Sequence, residues 1–173
     1  MVSIKKDLCP EAPPNLYSQV WDLVSSIPDP EVPCITINDL GIIRALDVID
    51  NKVMIKLTPT YSGCPAINAI ECAVKEKLRA NAFIPVVERV LSPPWTSDWI
   101  TEEGKKKLKA YGIAPPPPIT DNKKDSFFST HSAACPKCNS LNTKKVSYFG
   151  STACKAQYSC NSCLEPFELF KCI

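Results

Sequence analysis

Two Cys-x-x-Cys pairs, Cys135-Pro-Lys-Cys138 and Cys160-Asn-Ser-Cys163, dominate the last third of this 173-residue chain. The 21 residues between the pairs are too few to bury a core of their own. Each Cys-x-x-Cys turn directs two sulfurs toward one point, and intervening strands can bring all four sulfurs together. The spacing therefore predicts a metal-stapled ribbon at the C-terminal end.

Zinc is the metal that best suits four thiolates, because Zn²⁺ binds sulfur tetrahedrally without redox change. An iron–sulfur cluster also accepts four cysteines and stays open as an alternative, although the strand-like sequences at 144–149 and 156–159 favour a zinc ribbon. Four cysteine ligands leave no position for water, so a structural zinc is predicted rather than a catalytic one. Cys154 and Cys172 are interpreted as core or neighbouring thiols, since two intact pairs make the simpler cage.

The residues before the ribbon predict a small α+β domain, with a mostly antiparallel sheet covered by helices on one face. Hydrophobic periodicity predicts helices over 15–26, 65–81 and 101–112, and strands over 42–50, 52–59 and 86–91. The four prolines 115–118 end this domain, because consecutive prolines force an extended backbone. The predicted organisation is an α+β domain over 1–118, a linker over 119–132 and a zinc-ribbon module over 133–173.

The charge of the chain is close to neutral, at +2. Residues 121–173 hold seven lysines and four acids, hence a net charge of +3. This is too little to predict nucleic-acid binding, although Lys144-Lys145 and Tyr148-Phe149 would suit it.

No apolar run of about 18 residues predicts a membrane span, and the N-terminus does not read as a secretory signal. The expected compartment is the cytoplasm, where the ten cysteines serve as metal ligands, reactive thiols or core residues rather than disulfides.

Cys64 is the second informative cysteine, within Thr58-Pro-Thr60-Tyr-Ser-Gly63-Cys64-Pro65. Because Pro65 suits the first position of a helix, Cys64 is expected at a helix N-terminus. Free backbone N–H groups and the helix dipole there favour a thiolate, so a lowered pKa is predicted. The thiol is then a nucleophile or a metal ligand, or else a small buried capping residue.

The sequence offers few other side chains that could act together with this thiol. Asp29 and Glu31 form either a carboxylate pair close to Cys64 or solvated acids in a proline-framed turn. The single histidine, His131, falls in the predicted linker, so no Cys–His pair for acyl transfer is expected. Without a catalytic base or a cofactor motif, catalysis by this chain alone is not predicted.

Three separated motifs resemble a known family. Asp29-Pro-Glu-Val-Pro33, Asp39-Leu-Gly41 and Thr58-x-Thr60-x-x-x-Cys64-Pro65 occur in the order typical of the MIP18-like family (DUF59), which is linked to iron–sulfur cluster assembly. The resemblance covers roughly residues 15–112. It implies that Cys64 is a functional thiol, with Asp29, Thr58 and Thr60 as its neighbours, and that it handles a transient iron or iron–sulfur unit.

The whole chain is similar to the D (also called J) subunits of bacterial phenylacetyl-CoA epoxidases, which are multicomponent ring-1,2-epoxidases. The similarity rests on Pro93-Pro-Trp95-Thr-x-Asp98-Trp99-Ile, Gly150-Ser-Thr-x-Cys154-Lys-Ala and Phe170-Lys-Cys172. It implies an accessory role in assembling an iron–sulfur or di-iron centre in the other subunits of the complex, with iron–sulfur assembly proteins as further partners and self-association left open. The alternative is a structural adaptor that docks the oxygenase and reductase components, with the Trp95/Trp99 loop as an anchor.

Overall fold

The computed structural model describes residues 14–117 and 133–171. The chain divides into two compact units between Trp95 and Thr96. The first unit contains helix α1 (Pro14–Ser25), strands β1 (Ile43–Ile49) and β2 (Lys52–Leu57), helix α2 (Ala66–Ala80) and strand β3 (Ile84–Arg89). The second contains a short 3₁₀ helix (Ser97–Trp99), helix α3 (Glu102–Tyr111) and strands β4 (Ile113–Ala114), β5 (Thr143–Ser147), β6 (Lys155–Cys160) and β7 (Pro166–Phe170).

The sheet of the first unit has the order β1–β2–β3 and is mixed. Strands β1 and β2 are antiparallel, joined through Asp50, whose φ of 52° gives the tight turn expected there. Strands β2 and β3 are parallel, because α2 carries the chain back along the sheet between them. The α+β class is confirmed. The sequence predicted a mostly antiparallel sheet, and in this unit the β1–β2 pair is antiparallel while the β2–β3 pair is parallel.

The core of the first unit forms where α1 and α2 pack on the sheet. Its buried side chains come from one stripe of each helix and one face of β2, namely Val20, Val24, Val53, Ile55, Leu57, Ile67, Ile70, Val74 and Leu78. Those of α2 and β2 match the apolar positions that the sequence periodicity predicts. Burying each such side chain is worth about 1.5–3 kcal/mol, so this face holds α2, and the residues at its start, firmly on the sheet.

Strand β3 is an edge strand that contains a proline. The Ile84 N–H donates to the carbonyl of Asn51, and the Val90 N–H donates to that of Leu57. Because alternate residues of a parallel ladder point the same way, the nitrogen of Pro85 faces outward, where no ladder bond is lost. A proline on this edge disfavours pairing with a further strand.

The sheet of the second unit has the order β4–β7–β6–β5. The last three strands are antiparallel neighbours, while β4 is parallel to β7, with Ile113 opposite Glu168. Helix α3 precedes β4 and ends at Gly112 with a φ of 95°, the left-handed cap expected from the sequence. Thus α3 and β4, which the sequence assigned to the first domain, belong to the unit that holds the ribbon strands. The boundary at 118, the linker 119–132 and His131 lie outside the described residues.

An ion pair between a buried lysine and a partly exposed glutamate joins strands β6 and β7. Lys155 is 4% exposed, and its Nζ lies 3.1 Å from Oε2 of Glu168, which also accepts from the hydroxyl of Ser151 at 3.0 Å. Burial acts to raise the pKa of Glu168, but the Ser151 N–H, the Lys155 ammonium and the Ser151 hydroxyl outweigh it, and the pKa is lowered. A Cβ at Gly150 would overlap Oε1 of Glu168, so a larger residue there would displace the carboxylate from this pair.

No helix within residues 14–117 and 133–171 has the length and apolar character needed to cross a membrane.

Candidate functional site

Cys64 lies in a turn between the end of β2 and the start of α2. Its N–H donates to the carbonyl of Tyr61 at 3.1 Å, which closes the turn. Pro65 follows as the N-cap of α2, with φ −70° and ψ −27°. The predicted position of Cys64 beside the helix start is therefore correct, and its side chain is half-buried.

The pKa of Cys64 is raised, contrary to the prediction. Burial is the largest influence and raises the pKa, and the nearby Glu31 carboxylate raises it further. The N–H groups of Ala66 and Ile67 and the hydroxyl of Thr60 donate to the sulfur and lower the pKa, but they do not offset the burial. The sequence reasoning identified the donors of the helix start and missed the desolvation, which depends on packing by distant residues.

Asp29 and Glu31 have different roles rather than acting as one pair. Asp29 is buried, and its Oδ1 accepts from the N–H groups of Glu31 and Val32, each at 2.8 Å. The Asp29 carboxylate thus organises its own turn, while the Glu31 carboxylate acts electrostatically on Cys64. Glu31 is the functional candidate that the family pattern did not assign, and only its place beside Asp29 in sequence pointed to it.

Thr58, Thr60 and Trp95 all have buried side chains. Thr58 continues β2 by donating its N–H to the carbonyl of Ile42 at 3.0 Å. Trp95 donates its indole N–H to the carbonyl of Leu40 at 2.8 Å. The interpretation of Trp95 as a docking anchor is wrong, because its ring is 4% exposed and packs inside the first unit.

The four sulfurs of Cys135, Cys138, Cys160 and Cys163 converge in the second unit, all within 4.8 Å of one another. Cys135 lies 3.7 Å from Cys163, and Cys138 lies 3.6 Å from Cys160, sulfur to sulfur. A tetrahedral metal with bonds of about 2.3 Å to sulfur places its ligands about 3.8 Å apart. The geometry therefore fits one metal ion, whereas a cluster of several irons would hold the sulfurs farther apart.

The two Cys-x-x-Cys turns have the same backbone geometry. In each turn the N–H of the first cysteine donates to the carbonyl of the residue five positions later. Cys135 donates to Ser140 at 3.0 Å, and Cys160 donates to Glu165 at 2.9 Å. In each turn the residue after the second cysteine is left-handed, with φ 62° at Asn139 and 64° at Leu164. This repeated geometry is what aims the four sulfurs at a common point.

The thiols of this centre do not ionise equally. The N–H of Cys163 donates to the sulfur of Cys160 and, together with the N–H of Ser162, holds the pKa of Cys160 at about 6. The N–H of Glu165 acts to lower the pKa of Cys163, but burial and the neighbouring thiols raise it to about 12. Four adjacent thiols ionise together when a cation compensates their charge, which is the chemistry of a metal site.

Cys154 is buried, with its sulfur 3.0 Å from the hydroxyl of Thr152. Among the described residues, the one group of cysteines, acids or histidines that could hold a metal is the set of four above, and Cys154 is not part of it. Cys172 lies outside the described residues.

Comparison with known proteins decides the family. The chain is 45% identical over 168 residues to the putative D subunit of 1,2-phenylacetyl-CoA epoxidase from Escherichia coli (strain K12), covering 94% of this chain and 96% of that protein. The chain belongs to the family of 1,2-phenylacetyl-CoA epoxidase D subunits. Within it, residues 119–171 match the family described as the PaaD zinc beta ribbon domain, and residues 18–90 match that described as iron–sulfur cluster assembly protein.

The first unit of this member of the D-subunit family also has relatives of its own. The crystal structure of a DUF59 domain from Bacillus anthracis has a TM-score of 0.51 and 26% identity, covering 54% of this chain and 92% of that one. The cytosolic iron–sulfur assembly component 2B of Dictyostelium discoideum is 38% identical over 64 residues, 35% of this chain and 39% of that protein. The MIP18-like resemblance inferred from the motifs is therefore confirmed.

Proposed function

We propose that this chain is a cytoplasmic accessory subunit of the phenylacetyl-CoA ring-1,2-epoxidase system. It assists the assembly of an iron–sulfur or di-iron centre in the oxygenase or reductase subunits, and Cys64 is the ligand that holds the metal unit in transit. Asp29, Thr58 and Thr60 form the surrounding structure of this thiol. The metal unit is transferred to the partner subunits and is not a permanent cofactor of this chain.

The observation that carries the proposal is the set of donors aimed at Cys64. Thr60, Ala66 and Ile67 all donate to its sulfur, an arrangement that stabilises negative charge on a bound thiolate. Burial keeps the free thiol protonated, because it raises the pKa. A metal ion must therefore displace a proton to bind, and reprotonation of the thiol favours its release.

The ligand set around Cys64 suits transfer rather than storage. One thiol with one nearby carboxylate, that of Glu31, supplies fewer ligands than the four that iron or zinc takes from sulfur sites. The remaining ligands must then come from the donor or the acceptor protein. An incomplete shell of this kind makes metal binding dependent on a partner.

Zinc in the four-cysteine centre would serve a different purpose. A closed tetrahedral set holds its metal tightly and leaves no free coordination position. In small zinc peptides such binding is worth about 10–16 kcal/mol near neutral pH, which is enough to fold a short ribbon. We assign this centre to structure, and the cargo site to Cys64.

The test is a Cys64→Ala variant in cells that grow on phenylacetate. We expect the oxygenase and reductase subunits purified from that strain to lose most of their iron. Cys72→Ala is the matched control, because Cys72 is an exposed cysteine within helix α2, which Cys64 precedes. Normal iron loading in the Cys64→Ala strain rules the proposal out.

A structural adaptor is the second candidate, favoured by exposed apolar side chains of the ribbon unit. Val146 is 61% exposed and Phe149 is 63% exposed, at and beyond the end of edge strand β5. If docking is the whole function, a Val146→Ser/Phe149→Ser variant fails to bind the other subunits while Cys64→Ala has no effect. The same two variants therefore distinguish the two functions.

A further inference from the structure

The ribbon strands and the turns between them carry an excess of positive charge. Residues 133–171 contain five lysines and two acids, hence a net charge of +3. Both acids are already paired, Glu165 with Lys137 at 2.6 Å and Glu168 with Lys155 at 3.1 Å. The other three lysines of this segment form no ion pair with any residue that the structure describes: Lys144, Lys145 and Lys171.

Two of these lysines meet at one aromatic ring. The Nζ of Lys171 lies 4.3 Å from the centre of the Tyr148 ring and 4.5 Å from that of Phe149. The same Nζ donates to the carbonyl of Ala153 at 2.7 Å, which fixes the ammonium in place. The Nζ of Lys145 lies 5.3 Å from the centre of the Tyr148 ring. Two like charges are thus held near each other without a carboxylate to neutralise them.

The apolar part of this cluster is open to solvent. Contacts between a cation and an aromatic ring account for the position of Lys171, yet the Phe149 side chain remains 63% exposed. Val146, next to Lys145 in the chain, is 61% exposed. Exposed apolar side chains beside cations of this kind are typical of protein interfaces. The basic aromatic cluster consists of Lys145, Tyr148, Phe149 and Lys171.

The geometry of the cluster disfavours two other ways of binding. The β5–β6 pairing is irregular between Lys145 and Ser147, and such a bulge, with lysines on the edge strand, hinders the addition of a further strand. The rings of Tyr148 and Phe149 are 5.4 Å apart at 81° to each other. They therefore offer no row of parallel faces on which successive bases could stack. Recognition by side chains of a protein segment is what remains.

We infer that the basic aromatic cluster is a docking surface for an acidic segment that carries an apolar side chain beside its carboxylates. The carboxylates pair with the ammonium groups of Lys145 and Lys171, and the apolar side chain packs on Phe149. The inference rests on the function proposed above for the source of that segment, which is an oxygenase or reductase subunit. It adds the chemistry by which this chain recognises that subunit.

The direct test measures, by fluorescence anisotropy, whether the full-length protein binds a labelled peptide in which glutamates flank one phenylalanine. We expect wild type to bind it, and Lys145→Gln/Lys171→Gln to bind it about ten times more weakly, because two exposed ion pairs are lost. Phe149→Ser should also weaken binding about tenfold, through loss of the apolar contact. Since Phe149 is exposed, this variant keeps the fold even if loss of the Lys171 contacts disturbs it.

Three controls accompany these variants. Lys52→Gln/Lys109→Gln removes two exposed lysines outside the cluster and should leave peptide binding unchanged. Lys145→Arg/Lys171→Arg keeps both cations and should bind at close to the wild-type affinity. The peptide with glutamine in place of glutamate should bind wild type about ten times more weakly. Binding of the glutamate peptide should weaken between about 0.05 M and about 0.5 M salt, because salt screens exposed charges.

The inference is overturned if wild type does not bind the glutamate peptide, if the glutamine peptide binds equally well, or if the cluster variants bind like wild type. Tighter binding of oligothymidylate than of the glutamate peptide would assign the cluster to nucleic acid instead. Co-purification with the oxygenase and reductase subunits is measured separately. A wild-type chain that binds the peptide but neither subunit contradicts the accessory function and supports the docking surface. Subunits that bind wild type and the cluster variants equally overturn the docking surface.

Discussion

The sulfurs of Cys138 and Cys160, 22 positions apart in the chain, lie 3.6 Å from each other. In a tetrahedral site with one metal ion, two sulfur ligands lie about 3.8 Å apart, which is close to this separation. The two thiols belong to different Cys-x-x-Cys turns, so their contact depends on the pairing of strands β5 and β6, which lie next to those turns.

The purified full-length protein should contain about one equivalent of zinc and show no visible chromophore. Cys138→Ser should lose most of the metal and much of the β-structure of the ribbon, measured by elemental analysis and circular dichroism. Cys72→Ser is the control and should keep its zinc. A brown protein with iron in place of zinc would show that the centre holds an iron–sulfur cluster instead.

Alkylation of Cys64 should be slow at neutral pH and should keep accelerating above pH 9, because its pKa is raised above the ordinary value of 9.0. Thr60→Val removes a donor that lowers this pKa, so alkylation should slow further at any pH below the pKa. Peptide-resolved mass spectrometry after brief iodoacetamide treatment measures both, with the exposed Cys72 as an internal reference. A Cys64 rate that levels off below pH 9 would contradict the burial argument.

Glu168→Ala should lower the free energy of unfolding by about 3 kcal/mol, because it leaves the buried Lys155 without its carboxylate. Lys155→Met/Glu168→Leu should recover most of the loss, since apolar replacement removes both charges. The lowered pKa of Glu168 also means that its contribution is present above the unfolded pKa and is lost as pH falls through the folded pKa. Denaturant unfolding of the zinc-loaded protein at neutral pH compares these variants, and equal stability of Glu168→Ala and wild type there would refute the account. At acid pH, where protonated thiols release zinc, wild type and Glu168→Ala are compared after metal loss, and their difference should shrink.

Leu164→Gly should stabilise the zinc-loaded protein by about 1 kcal/mol, because leucine is strained at a φ of 64° and glycine is not. The leucine side chain is 79% exposed, so little packing is lost. Leu141→Gly is the control: Leu141 is 63% exposed and is not among the left-handed residues, so this change should stabilise nothing. Thermal unfolding compares the two variants, and equal effects would show that the strain at Leu164 is negligible.

Local patterns were sufficient for helix α2, for two of the turns and for the convergence of the ribbon cysteines. Helix α2 was predicted over 65–81 and spans Ala66–Ala80, because its apolar stripe and its start at Pro65 are properties of neighbouring residues. The turn at Asp50 and the left-handed Gly112 were predicted for the same reason. The four ribbon cysteines were identified from spacing alone, since a Cys-x-x-Cys turn is a local structure.

Contacts between distant residues were beyond these patterns. Strand β3 runs parallel to β2, and β4 pairs with β7 across more than 50 residues, because pairing partners are chosen by packing of whole elements. The sequence left open whether Glu31 lies near Cys64, because it is the turn organised by Asp29 that brings the two together across 33 positions. Likewise, only the folded ribbon brings Lys137 to Glu165.

The sequence by itself determined that four cysteines form a metal-binding ribbon, that Cys64 stands at the start of a helix, and that the front part of the chain is an α+β domain. The tertiary structure alone decided that the Cys64 thiol is held protonated by burial, that Asp29 shapes a turn while Glu31 acts on the thiol, and that Lys137 pairs with Glu165 of the opposite turn. The physical reason is that spacing and periodicity are encoded by residues a few positions apart. Desolvation and electrostatic interactions depend instead on which distant residues the fold brings together.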